Sequence, residues 1–198
     1  MSGTPAPDLV ALVGSRIAHD LISPLGAIGN GVELLTLTGI DTPELALIAD
    51  SVASANTRIR LFRLAFGAAP PDARVTAGEI AALTAPAPGG RIVIDWQIPG
   101  DVARGPAKLA FLAMMCCETA MPRGGRLTVS ADAGRWLVTA EAARLNLDPA
   151  LWASLDAPAC PAHITPAQVH FALIGPEARA QGRTLSADTT DSTITIGF

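Results

Sequence analysis

The stretch Ile17–Leu35, IAHDLISPLGAIGNGVELL, decides how the chain is read. Its apolar residues Ile17, Leu21, Leu25, Ile28, Val32 and Leu35 recur at steps of three and four. That spacing predicts an amphipathic helix with one core-facing stripe. At about 100° per residue, His19 falls roughly opposite Ile17 and Leu21. The same rotation puts Ser15, Ser23, Gly26 and Asn30 within about 40° of His19. The histidine therefore stands on a face of small and polar residues, open to a large approaching group. Asp20 follows directly, placed to hydrogen-bond the imidazole or exchange its proton. Pro24 removes the helical bond to the Asp20 carbonyl and is expected to bend the axis there.

Outward from this stretch, residues 1–7 are small and proline-containing and read as a loose tail. Asp8 is placed to cap a first helix running to about Leu37, and Gly39 to end it. Thr42-Pro43-Glu44 reads as N-cap, first-position proline and first-turn acid of a second helix. That helix carries Leu45, Ile48, Val52, Ala55, Ile59, Phe62 and Phe66 on one stripe. Two amphipathic helices joined by about five residues form an antiparallel hairpin. One hairpin buries both stripes poorly, whereas two paired as a four-helix bundle bury them well, so a homodimer is expected.

Residues 67–73, GAAPPDA, are a break, and beyond them the periodicity changes. Two domains follow: a helical hairpin over 1–70 and a second domain over 71–198. In the second, a short helix is expected around Thr76–Leu83. Arg91–Ile98 alternates as a strand with Ile92, Ile94, Trp96 and Ile98 on one face. Pro106 opens a helix to about Met121, buried along Leu109, Leu112 and Cys116. Asp132-Ala133-Gly134 turns strand Arg126–Ala131 into strand Arg135–Ala142. Asp148-Pro149 and Thr165-Pro166 start two more helices, the latter ending near Gly182. Two last strands are expected at Thr184–Ala187 and Ser192–Ile196. Trp96, Trp136 and Trp152 pack this sheet and its cover. The fold class is α+β: helices layered on a mixed sheet.

Composition excludes several functions. The net charge of −4 argues against a broad basic surface gripping nucleic acid. No uncharged apolar run reaches the roughly 18 residues of a membrane span. The first residues hold no basic leader and carry Asp8, so no secretory signal is read. Three cysteines, two of them adjacent, form no disulfide framework, and a reducing cytoplasm is the expected location. Cys160, His163 and His170 lack a fourth ligand at a usual zinc spacing, so no metal site is expected. Cys116 and Cys117 lie in an apolar helix and read as core.

A lone helical histidine is most often a surface residue without chemistry. Here His19-Asp-Leu-Ile-Ser-Pro-Leu-Gly-Ala-Ile28 resembles the phospho-acceptor box of histidine kinases, His-(Asp/Glu)-Leu-x-x-Pro-Leu-x-x-Ile. The second domain resembles a histidine-kinase ATP-binding domain through Glu118–Val129 and His170–Ala187. Yet its nucleotide residues differ. Cys116 stands where the resemblance requires the Mg²⁺-directing asparagine. Glu141-Ala-Ala-Arg-Leu145 replaces Asp-x-Gly-x-Gly, and Ala159–Pro166 holds no glycine-rich lid. With Asn30-Gly-Val-Glu-Leu34 and Arg60–Gly67 added, nearly the whole chain resembles the histidine phosphotransferases of the ChpT type. These look like dimeric histidine kinases that have lost ATP binding.

The resemblance implies a phosphorelay: a phosphoryl group passes from a receiver-domain aspartate of a hybrid histidine kinase to His19, then to a response-regulator receiver. His19 would be the nucleophile and Asp20 its orienting or proton-handling partner. Arg16, Ser23, Asn30, Arg58 and Arg63 are the expected receiver contacts; Arg60 is a further candidate contact on the second helix, though an ordinary helix-surface role fits it somewhat better. No ATP, other cofactor or metal is expected on this chain. The second domain is expected to add to partner choice. Two other readings remain: a divergent ATP-dependent histidine kinase and a non-catalytic receiver-binding scaffold.

Overall fold

The computed structural model describes residues 9–40, 42–86, 89–156 and 164–198, with the backbone alone for residues 9–12 and Ser15. The Asp8 cap, the N-terminal tail, Cys160, His163 and most of the 159–166 loop lie outside the described residues, as does the Ser15 side chain. The chain divides into two compact units, Met1–Ala69 and Pro70–Phe198.

The first unit is a helical hairpin of α1 (Leu9–Leu37) and α2 (Pro43–Phe66). Pro24 sits inside α1 without ending it. Gly39, at φ +88°, turns the chain out of α1, and the Ile40 N–H returns to the Leu35 carbonyl at 3.2 Å. Thr42 caps α2 by accepting the Leu45 N–H at 3.3 Å, with Pro43 at its first position.

Within one chain the predicted stripe is only partly covered. Ile17, Leu21, Ile28 and Leu35 stay 45–55% exposed in the single chain, as does Ile48 of α2. The buried residues of α1 are instead Ala18 and Val32. Gly14 lies against Phe66 and Gly29 against Val52, each 3.5 Å from where a Cβ would stand. Small side chains let the helices approach closely, so the packed face is rotated from the bulky one. At about 100° per residue, Gly14, Ala18, Leu25, Gly29 and Val32 share that face. Ile17, Leu21, Ile28 and Leu35 form a second, lateral stripe.

The second unit is the expected α+β layering. Among the described residues its sheet runs β2 (Ile92–Trp96), β4 (Gly125–Asp132), β5 (Arg135–Glu141), β7 (Thr193–Gly197), β6 (Ser186–Thr189) in spatial order. β2 and β4 are parallel and the other neighbours antiparallel. The last two strands begin one to two residues later than predicted. A two-residue pair, β1 (Arg74–Val75) with β3 (Val102–Ala103), was invisible to periodicity because two residues show no alternation. The register lines up Trp96, Val129, Val138 and Ile196 across the sheet, and Leu127, Ala140 and Ile194 beside them. These rows face the helices, while Thr128, Thr139 and Thr195 form a half-exposed row on the other side. The β4–β5 turn uses Ala133 (φ 47°) and Gly134 (φ 85°), the left-handed pair of a two-residue hairpin.

Helix α4 (Arg104–Ala120) is buried along most of its length, with Leu109, Phe111, Leu112, Cys116 and Cys117 fully covered. Phe111 stacks on Trp96 at 5.6 Å, and Trp96 meets Trp136 edge-on at 5.7 Å. α5 (Pro149–Asp156) starts with Asp148 accepting the Ala150 N–H at 3.0 Å. Its Trp152 meets Phe171 of α6 (Val169–Ala180) edge-on at 5.5 Å. α6 follows a 3₁₀ turn, Pro166–Gln168, capped by Thr165. α4 and α6 are joined by the buried Lys108–Glu177 ion pair at 2.6 Å, with Gln181 bridging Glu177 and the Gly105 carbonyl. His170 of α6 is buried and bonds Thr119 Oγ1 at 3.1 Å through Nε2, while its Nδ1 has no partner. This bond leaves His170 in the core of the unit.

Burial pushes the His170 pKa down from 6.5 to about 4. Between those values the unfolded chain binds the extra proton and the native chain does not, so stability is lost as the pH falls through that window. Urea denaturation is expected to show a smaller loss of stability from pH 7 to pH 4.5 in His170→Gln than in the wild type.

Candidate functional site

Helix α1 carries His19 on the small, polar side of the hairpin, and the side chain is 84% exposed. Its Nδ1 lies 3.4 Å from Asp20 Oδ1. A carboxylate accepts, so Nδ1 carries the proton in this pairing, and Nε2 keeps its lone pair toward solvent. Arg16, one turn earlier, donates from Nε to Asp20 Oδ2 at 2.8 Å. Asp20 is thus held from both sides. Its pKa lies below the usual 3.8, chiefly through the His19 hydrogen bond, with Arg16 adding a bond and a charge against slight desolvation. The carboxylate stays ionised at neutral pH and keeps one ring tautomer in place.

Ser23 and Asn30 are exposed on the same side as His19. Arg58 and Arg63 are not brought to it. Arg58 lies over the Phe62 ring at 5.3 Å, on the flank of α2 turned away from His19. Arg63 falls on the α2 face turned toward α1 and is half-buried. Arg60, the weakest of the three arginine candidates on this helix in sequence, is exposed and falls on the His19 side, with Ala53 and Thr57. Rotation along α2, combined with the Gly14–Phe66 contact, reveals this. The apolar pattern alone does not.

In the second unit Cys116 is fully buried, and its thiol pKa is raised by burial and by neighbouring Cys117. It cannot reach a phosphate. Arg144 and Leu145 border a small open pocket of about 190 Å³ with Pro122, Arg123 and Asn146. Cys116 is thus a core residue, and residues 159–163 of the segment that replaces the lid lie outside the described residues. Among the described residues no cluster of His, Cys, Asp and Glu is suited to a metal ion. Nor is any described helix long and apolar enough to cross a membrane.

The family model described as "Histidine phosphotransferase C-terminal domain" matches residues 77–193, more than half of the chain. The chain belongs to the histidine phosphotransferase family. It is 35% identical over 159 residues to "Protein phosphotransferase ChpT" of Brucella abortus (strain 2308), spanning 73% of this chain and 72% of that relative. A solved "1.7 Angstrom structure of a bacterial phosphotransferase" aligns over 99% of this chain and 98% of its own, at 28% identity and TM-score 0.65. ShkA, solved full-length in complex with AMPPNP, aligns over 96% of this chain and 46% of its own, at TM-score 0.50. At 16% identity, that likeness is one of fold. The family match lies in the second unit of this phosphotransferase, whereas the exposed histidine lies in the first.

Because His19 is exposed and outside the packed face of α1, His19→Ala is expected to change the unfolding free energy by no more than about 0.5 kcal/mol. Urea denaturation followed by circular dichroism checks this.

Proposed function

We propose that this histidine phosphotransferase relays a phosphoryl group through Nε2 of His19, between receiver-domain aspartates. The single observation that carries the reading is the Arg16–Asp20–His19 chain on an exposed helix face. In the acceptance step, the Nε2 lone pair forms the N–P bond as the P–O bond to the receiver carboxyl breaks. The carboxylate leaves with its electron pair. The ring becomes positive, and Asp20, already on Nδ1–H, stabilises that charge or takes the proton. The second transfer reverses these events on another receiver. The phosphoramidate bond is labile enough for the group to leave again.

The lateral apolar stripe supports a homodimer. Ile17, Leu21, Ile28 and Leu35 of α1 and Ile48, Ala55 and Phe62 of α2 fall on the same side of the hairpin, opposite His19. Two such sides brought together would make the four-helix bundle. Glycines inside α1 add to this. Gly26 and Gly31 meet nothing within 4 Å, so the cost of a helical glycine, about 1 kcal/mol against alanine, is not offset within the chain. Gly26 lies beside His19 and Gly31 beside the stripe. Each glycine lets a partner backbone approach its face. Cys116 and Glu141–Leu145, in place of the nucleotide residues, disfavour the kinase alternative. We assign that unit a share in receiver recognition, since a specific contact covers about 800 Å² per partner, more than the strip around His19 offers.

The test is incubation with receiver domains phosphorylated by acetyl phosphate. Wild type should accept the phosphoryl group, His19→Ala should accept none, and Asp20→Asn should accept it about tenfold to a hundredfold more slowly. Full acceptance by His19→Ala would move the chemistry elsewhere. Ile28→Glu, a charge placed mid-stripe, should give a monomer by light scattering at concentrations where the wild type is dimeric.

A further inference from the structure

The packing of the two helices fixes which residues of α2 stand level with His19. Gly14 meets Phe66 and Gly29 meets Val52, so α2 runs antiparallel to α1 in a defined register. His19 lies five residues past Gly14 and is therefore level with Leu61, five residues before Phe66. Rotation then sorts the neighbours of Leu61. The α2 face carrying Leu45, Val52 and Arg63 turns toward α1, and the side carrying Ile48, Ala55 and Phe62 is the apolar one. Arg60 falls about 60° from the packed face, on the His19 side, leaning over the groove between the helices. Packed helices lie about 8–10 Å apart, a gap that a long arginine side chain bridges.

The charges around His19 make this position matter. Arg16 is held by Asp20, whose carboxylate is itself held by the imidazole. Arg58 lies over Phe62. Arg60 is exposed, and no hydrogen bond or ion pair engages its guanidinium among the described residues. It is thus the uncommitted cation level with the nucleophile. A phosphoryl group arriving at Nε2 carries up to about two negative charges, spread over three oxygens. On the Arg16 side it meets a cation already neutralised by Asp20.

We propose that Arg60 is a further catalytic residue, donating guanidinium N–H bonds to the non-bridging oxygens of the phosphoryl group while Nε2 forms its bond to phosphorus. This rests on His19 being the acceptor. No proton or electron pair passes to Arg60. Its contribution is charge compensation and orientation of the three oxygens, for which a planar fork of donors is suited.

The test uses the full-length protein and two donors: an isolated receiver domain phosphorylated by acetyl phosphate, and phosphoramidate, which labels histidine without any receiver. Arg60→Gln should keep the wild-type circular dichroism and mass. It should lower the kcat of acceptance from the receiver about tenfold to a hundredfold, less than an enclosed arginine achieves because the site is open to solvent. KM should change less than kcat, labelling by phosphoramidate should slow as well, and Arg60→Lys should restore part of the rate. Unchanged kinetics in Arg60→Gln overturns the proposal. So does a rise in KM alone with normal phosphoramidate labelling, which would make Arg60 a docking contact. A wild-type protein that accepts from neither donor overturns the functional reading itself, and the role of Arg60 with it.

Discussion

The close approach of α1 and α2 at Gly14, Ala18 and Gly29 is the constraint on which the first unit depends. A helix is rigid in rotation: fixing one face fixes every other. Once the small residues turn toward α2, His19 must emerge on one flank and Ile17, Leu21, Ile28 and Leu35 on the opposite one. The exposed histidine and the exposed apolar stripe are thereby kept on different sides of the same helix. Had the large residues formed the helix–helix contact, the histidine would have been rotated toward the solvent pole of α1, farther from any residue of α2. The placement of Arg60 follows from the same contact, since the register of α2 is set where Phe66 and Val52 meet the two glycines.

Around His19 the ordering is electrostatic and local. Three residues within one helical turn hold one another through two hydrogen bonds, with no help from the core. Exposed ion pairs of this kind contribute little to stability. Their effect is on the ring: the contact of Nδ1 with Asp20, itself held by Arg16, sets its orientation. The site is therefore built from residue order along α1, and this explains why a short stretch of sequence conveys so much of it.

The legible and illegible parts divide along physical lines. The helices, the cap at Thr42, the 133–134 turn and the alternating strands could be read because each rests on a local preference or a short period. His19 and Asp20 could be read because they are adjacent. The packed face of α1 could not, because apolar periodicity marks residues that avoid water without saying which partner covers them. The larger residues make the visible stripe, while glycine and alanine supply the contact with α2. Which of Arg58, Arg60 and Arg63 stands on the His19 side is hidden for the same reason. Their directions depend on where the two helices touch, a tertiary fact. The β1–β3 pair escaped because four residues in two pieces leave no pattern.

In the second unit the position that the resemblance gives to a nucleotide ligand is part of the apolar core. Cys116 stands where the resemblance places a polar, Mg²⁺-directing asparagine, in the middle of a helix covered on nearly every side. An asparagine buried there without its ligand would leave donors and acceptors unpaired, at a cost of about 1–3 kcal/mol each. A thiol behaves as a small apolar group and removes that cost. Its raised pKa keeps it protonated and unreactive, in step with a packing role. The two polar elements that remain in this core, Lys108 with Glu177 and His170 with Thr119, tie α4 to α6. Lys108 and Glu177 complete each other, while the buried Nδ1 of His170 is left without a partner. The core of this unit is thus built largely from packed apolar side chains, with Cys116 and Cys117 among them.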